Sequence, residues 1–264
     1  MLAVLFSCNS NDKKKEPEMK EPKLKEENVT YAAGDINMNG FIVYDENIEG
    51  PRPAVIVVPE WWGLNDYAKK RARDLAGLGY IAMAMDMYGN GQQADNPDSA
   101  MKLAGPFYQD PGLAKPRFEA AMSKLKSYSQ TDATRMGAIG YCFGGAQVIN
   151  MAKMGEDLKG VVSFHGNLNV VPANKDLLKA AILVCHGDAD PMVPQTETDL
   201  FKKQMDSIGA KYVFKPYEGA LHAFTNPAAD EVKKKFPDLP VAYNAAADTA
   251  SWKDMKDFFD RIFK

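Results

Sequence analysis

The sequence predicts an α/β fold, a mainly parallel sheet with helices on both faces, and three observations carry that expectation. Pro53–Pro59 encloses Ala-Val-Ile-Val-Val, a continuous apolar run that suits a strand buried on both faces. Further apolar runs, at Tyr80–Met87, Arg135–Ile139, Gly160–Phe164 and Ala181–Cys185, alternate with stretches of helical periodicity, as strand–helix–strand crossovers require. The run ending at Ile139 leads into Gly140-Tyr141-Cys142-Phe143-Gly144-Gly145 and then into a helical stretch from Ala146, stopped near Gly155. Small residues two before and two after a central side chain fit a tight strand-to-helix turn that lifts that side chain out of the sheet.

Composition is compatible with one domain of this kind. The 264 residues are 45% hydrophobic and 25% charged, with a net charge of −3, which gives no nucleic-acid footprint. Cys8, Cys142 and Cys185 are far apart and odd in number, so neither a disulfide framework nor a metal spacing is read from them. No stretch is long and apolar enough to span a membrane.

The elements follow in chain order. Leu5-Phe6-Ser7-Cys8 resembles the lipobox of bacterial lipoproteins. Residues 1–8 are therefore read as the remnant of a lipoprotein signal, with Cys8 as the lipidated residue. Residues 9–28 hold six Lys, six Asp or Glu, two Pro and no aromatic side chain, a composition that cannot bury enough surface to fold. They read as a charged tether that could reach roughly 70 Å when extended, ahead of a domain at 29–264. Membrane contact is expected only through such an anchor, in the bacterial cell envelope; without lipidation the chain would be cytoplasmic. Asp35–Asp45 reads as two edge strands turning at Asn39-Gly40. Helices are expected over Asp66–Leu78, with Ala68, Ala72, Leu75 and Ala76 inward, then near Ser99–Leu103, Ala114–Tyr128 and Thr196–Ile208. Lys211–Pro216 reads as a final strand and 226–240 as a loop or partial lid. A last helix to about Phe263 is expected to bury Trp252, Met255, Phe259 and Ile262.

In an open parallel sheet, ligands bind beyond the carboxyl ends of the strands. Glu60, Tyr88, Cys142, His165, Asp190 and His222 each come just after an expected strand, which gathers them on one rim. Cys142 at a helix N-terminus is where a thiolate or an oxyanion is favoured; the duller alternative is a buried, inert thiol. A thiol nucleophile needs a base, and the base needs a group to fix its tautomer. His222 alone follows the acidic turn His186-Gly187-Asp188-Ala189-Asp190, so it is the base by elimination. Asp190 at the loop tip is preferred to Asp188 as its partner, with Asp188 read as a turn former. The chain order nucleophile, acid, histidine is that of α/β-hydrolases. An oxyanion hole would use the backbone N–H of Phe143 and that of Trp61; Trp61 and Trp62 also suit core packing. Trp62, Tyr88 and Phe143 are candidates for the pocket wall, as is His165. His186 reads as structural, and no His-x-x-x-His spacing supports a metal site.

The motifs Pro59-Glu60-Trp61-Trp62-Gly63, Gly140-Tyr141-Cys142-Phe143-Gly144-Gly145, His186-Gly187-Asp188-Ala189-Asp190-Pro191 and Leu221-His222-Ala223-Phe224 resemble those of the dienelactone hydrolase family of α/β-hydrolases, over roughly Tyr31–Lys264. The resemblance implies a Cys142, Asp190 and His222 triad acting on a small ester or lactone, with no metal or organic cofactor. It also implies that Glu60 holds the resting thiol and helps convert it to a thiolate when substrate arrives. Two arginines that bind the substrate carboxylate in well-studied members correspond here to Asn90 and Asn226, so neutral esters or lactones are expected to be favoured. Lys115 or Arg117 could replace that charge only if the fold brings one to the rim. The competing expectation is a ligand-binding lipoprotein that keeps the fold without turnover.

Overall fold

The computed structural model describes residues 21–264, so Cys8, the lipobox and most of the tether lie outside the described residues. The chain forms one eight-stranded sheet from β1 (Leu24–Ala33), β2 (Ile36–Asp45), β3 (Arg52–Val58), β4 (Ile81–Ala84), β5 (Thr131–Tyr141), β6 (Gly160–Phe164), β7 (Ala181–Gly187) and β8 (Tyr212–Tyr217), in the order β1-β2-β4-β3-β5-β6-β7-β8. β1 pairs antiparallel with β2 and β2 antiparallel with β4, and the remaining pairings are parallel. Between the strands lie α1 (Asp66–Gly77), α2 (Pro97–Gln109), α3 (Lys115–Lys126), α4 (Phe143–Lys153) and α5 (Gln195–Ile208), and after β8 come α6 (Ala229–Lys235) and α7 (Ala245–Ile262).

The run in β3 is buried on both sides, as its composition requires. Ala54, Ile56 and Val58 face the layer formed by α2 to α5, while Val55 and Val57 face α1 and α7. The inward residues expected for α1 are all buried. In α7 Met255 and Phe259 are buried, whereas Trp252 and Ile262 are only half-buried at its edge.

The N-terminal region departs from the expectation twice. The hairpin turns at Gly34-Asp35, with Gly34 at φ 60°, and Asn39-Gly40 lies inside a single strand β2. Gly40 is needed there for close approach: a Cβ would come within 2.6 Å of the Met83 methyl group. Its partner β1 begins at Leu24, so the folded domain takes in Leu24–Asn28, which the composition had assigned to the tether. An edge strand needs only backbone pairing on one side. The charges of β1 are met locally, Glu26 by a two-pronged pair with Arg73 (2.6 and 2.9 Å) and Glu27 by the Tyr128 hydroxyl (2.9 Å). The 226–240 segment contains the short helix α6, over a small apolar cluster of Ala223, Ala229 and Val241.

Candidate active site

The turn after β5 has the strained geometry its glycines predict. Cys142 sits at φ 52°, ψ −117° as the residue preceding α4. A Cβ on Gly140 would strike the Gly144 carbonyl and come 2.7 Å from Gly145 N. One on Gly144 would strike the Val58 carbonyl and come 2.5 Å from Pro59 O. Of the four non-glycine residues with positive φ among those described, Cys142, His165 and Ala223 all belong to this site; clustered backbone strain of this kind is a mark of functional sites. α4 begins at Phe143, three residues before the expected start, so Cys142 stands at the helix N-terminus itself.

Asp190, beyond β7, and His222, beyond β8, meet behind this turn. His222 Nδ1 donates to Asp190 Oδ2 at 2.7 Å, and Asp190 Oδ1 accepts from Met192 N at 2.8 Å. Asp188 instead accepts from Gly219 N at 2.6 Å, which makes it the turn former and leaves Asp190 as the histidine's partner. His222 Nε2 is enclosed without a hydrogen-bond partner, and His222 and Cys142 line the same two cavities. Burial works to lower the His222 pKa, but Cys142 and the hydrogen-bonded Asp190 beside it outweigh burial and hold the imidazole well above its ordinary value.

Glu60 lies just beyond β3, in the inner cavity with Cys142 and His222. Its Oε2 accepts from Asn226 Nδ2 at 2.8 Å. Asn226 therefore lines the cavity but serves the protein's own carboxylate. Burial pushes the Glu60 carboxyl up from 4.5 to about 7, against the opposing pull of Asn226, His222 and Arg71. Between those two pH values the folded chain keeps a proton that the unfolded chain has lost. The associated stability is complete below about pH 4.5 and disappears as pH rises through about 7, a displacement worth about 3 kcal/mol. Glu60→Gln removes the titration and retains an acceptor for Asn226. Urea denaturation near pH 5 and near pH 8 should find that the wild type loses about 2 kcal/mol more than the variant over this interval. Equal losses would mean that Glu60 ionises as an ordinary carboxylate.

Other expected site residues lie behind the cavity walls. The Tyr88 hydroxyl donates to Trp61 O at 2.8 Å, and its ring packs on Phe107 and Phe143, so Tyr88 braces the segment carrying Trp61 and does not line the cavity. The Phe143 side chain is fully buried; only its backbone faces the turn. Asn90 is exposed, with its N–H on Asn37 O (2.6 Å), and lines neither cavity beside Cys142. Trp61 and Trp62 do line the inner cavity, with Trp62 stacked on Phe236. Neither Lys115 nor Arg117 lines a cavity with Cys142: Lys115 pairs with Glu156, and Arg117 lies over the Phe107 ring at 4.7 Å.

His165 is a correction of another kind. It is buried beneath the turn, where its Nδ1 accepts from the Cys142 backbone N–H at 3.1 Å. Burial, reinforced by nearby His222, drives its pKa well below the ordinary value, so Nε2 carries the proton and donates to Thr225 Oγ1 at 2.8 Å. Thr225 in turn bonds the Tyr67 hydroxyl at 2.7 Å. Arg71 closes the network on the Thr225 carbonyl (2.7 Å) and Asp248 (2.5 Å). Tyr67, Arg71, Thr225 and Asp248 carry no motif that sequence reasoning could have used. His186 packs on Phe214 at 5.5 Å, and among the described residues no group of three or more His, Cys, Asp or Glu side chains is gathered to hold a metal ion.

Comparison with known proteins agrees with this geometry. Residues 38–263 match the Dienelactone hydrolase family. A protein of Aquifex aeolicus named "Putative carboxymethylenebutenolidase" is 29% identical over 89% of this chain and 98% of its own length. The crystal structure of the dienelactone hydrolase-like promiscuous phosphotriesterase P91 from metagenomic libraries aligns with a TM-score of 0.85 at 34% identity, covering 91% of this chain and 99% of that one. The structure of m3DLH matches to the same TM-score at 33% identity, again over 91% and 99% of the two chains. A match over this extent, on a chain with the elbow turn and the rim just described, establishes that the protein belongs to the dienelactone hydrolase family and is an ester or lactone hydrolase.

Proposed function

We propose that the chain hydrolyses small neutral esters or lactones through Cys142 as nucleophile, His222 as general base and Asp190 as the group that orients it. The observation that carries this reading is the 2.7 Å Asp190–His222 pair, whose unpartnered Nε2 shares a cavity with Cys142. The Cys142 thiol gives its proton to His222 Nε2 as the sulfur attacks the carbonyl carbon, and the resulting oxyanion is received by the backbone N–H groups of Phe143 and Trp61. The carbon–oxygen bond then breaks, with the proton on His222 passing to the leaving alkoxide, and an acyl-thioester remains. Water attacks the thioester as His222 takes its proton, and the carbon–sulfur bond then breaks as His222 returns that proton to the leaving sulfur, which restores the site. Glu60, enclosed beside the pair and titrating near neutrality, is able to hold or release a proton there.

Iodoacetamide near neutral pH tests the nucleophile. Cys142 should be alkylated in step with loss of esterase activity, while Cys185, enclosed and with its thiol pushed up to about 12 by burial, stays unmodified. Labelling at Cys8 is read separately by peptide mapping. Activity that survives full alkylation of Cys142 would remove the thiol mechanism. A simple aryl ester left untouched by the wild-type protein would favour the ligand-binding alternative.

The charge of the substrate follows from the same residues. Asn226 is committed to Glu60, Asn90 lines neither cavity beside Cys142, and no Lys or Arg lines either of them. A carboxylate substituent therefore finds no cation, and a lost charge-assisted hydrogen bond costs about 1.5–3 kcal/mol. For a carboxylated lactone and its neutral methyl ester, kcat/KM should favour the neutral member by about tenfold or more. Equal or greater turnover of the carboxylated member would mean that another basic residue reaches the site.

A further inference from the structure

We infer that the substrate is an ester with one long apolar arm and one small one, the long arm lying in the outer cleft between α2, α5 and the loop after β6. This rests on the ester-hydrolase reading and specifies its substrate. The two cavities that meet at Cys142 and His222 differ greatly in size. The inner one, bounded by Trp62, Val232, Leu239 and Val241, has a volume of about 20 Å³, room for about one water or a methyl group. The outer one has a volume of about 730 Å³, within the range of cavities that hold small organic ligands. A bulky substituent on either side of the reacting carbonyl therefore has only the outer cleft to enter.

The chemistry of that cleft selects an apolar occupant. Met101 on α2, Met192 after β7 and Leu200 on α5 stand around it, and they are 52%, 37% and 46% exposed. Large apolar side chains this open, drawn from three separate elements and converging on one cleft, form a patch that folding leaves uncovered. Tyr108 and Val170 continue the surface inward. The one carboxylate in the lining, Glu197, is already satisfied: Oε1 accepts from Leu168 N at 2.6 Å and Oε2 from Asn167 Nδ2 at 3.3 Å. The patch is continuous with Cys142 and His222, so its occupant is part of the molecule being hydrolysed and not a separate protein partner.

Isomeric esters test the assignment with hydrophobicity held constant: methyl hexanoate carries its chain on the acyl side and pentyl acetate on the alkoxy side, with methyl acetate as the short reference. One of the two long isomers should exceed methyl acetate in kcat/KM by about tenfold or more, and exceed its isomer by a similar factor. Leu200→Gln should cut the long-to-short ratio at least about threefold. Leu177→Gln, at a residue equally exposed (46%) but off the cleft, should leave it unchanged. Both long isomers falling at or below methyl acetate, both rising together, or a ratio that Leu200→Gln leaves within threefold of wild type would each overturn the inference. If instead methyl acetate turnover were the same with and without the Cys142 thiol, the hydrolase mechanism itself would fail, a separate result read from Cys142→Ala.

Discussion

Cys142→Ala should lower ester hydrolysis by about 10⁴-fold or more while leaving the fold intact. Alanine adopts φ 52° no less readily than cysteine, and the change removes one sulfur atom from a site that is partly open to the clefts. The unfolding midpoint should therefore stay close to wild type, so the loss is chemical. Cys142→Ser adds a second readout. Cys142 is one of the two neighbours that hold His222 well above its ordinary pKa. Replacing its sulfur by a serine hydroxyl weakens that support, so the imidazole titration, followed by NMR, should move down. Hydrolysis by Cys142→Ala within about a hundredfold of wild type would exclude the thiol as nucleophile. A His222 titration unchanged in Cys142→Ser would mean that the Cys142 side chain does not act on the imidazole.

The features legible in the sequence were those that local chemistry dictates. A run such as Ala-Val-Ile-Val-Val has few places to go except a strand covered on both faces, and β3 is that strand. Gly140 and Gly144 announced the tight turn around Cys142 because no larger residue fits where the helix start crosses the end of β3. Chain order then supplied Asp190 and His222, since the carboxyl ends of parallel strands share one rim.

The remainder was decided in space. Nothing near Leu24 marks β1, because an edge strand paired through its backbone tolerates a charged, polar sequence. Asn39-Gly40 carries a strong local turn signal, and the pairing of β2 with β1 and β4 overrides it. His165 seemed a wall residue because it follows a strand; its positive φ of 44° instead folds the ring under the Cys142 backbone. Asn226 is the more instructive case. Its position suggested contact with substrate, yet its amide is committed to Glu60, a partner 166 residues away in the chain. The support from Arg71 through Thr225 to His165 joins helix, loop and strand end, and no one of those segments betrays it alone.

Gly144→Ala should either abolish folding or abolish activity, because the elbow is built against β3 with no room for a methyl group. The added Cβ would strike the Val58 carbonyl, with Val58 C at 2.6 Å and Pro59 O at 2.5 Å. These are backbone atoms at the end of a strand that pairs on both sides, with β4 and β5. They cannot rotate aside as a flexible side chain can, and overpacking against a fixed neighbour costs about 1–3 kcal/mol and occasionally more. If the chain survives by moving, what moves is Pro59–Trp61, the segment that supplies Glu60 and a proposed oxyanion N–H. Activity should then fall by about 10²-fold or more, since losing one such donor alone has an effect of that order. The control is Gly77→Ala, at the exposed end of α1, where a Cβ would meet nothing within 4 Å. Replacing a helical glycine by alanine stabilises by up to about 1 kcal/mol, so the same chemical change should be neutral or favourable there. Urea denaturation and ester hydrolysis, measured on both variants, decide the matter. A Gly144→Ala protein with wild-type midpoint and rate would show that the turn does not hold Cys142 against β3 as tightly as these distances require.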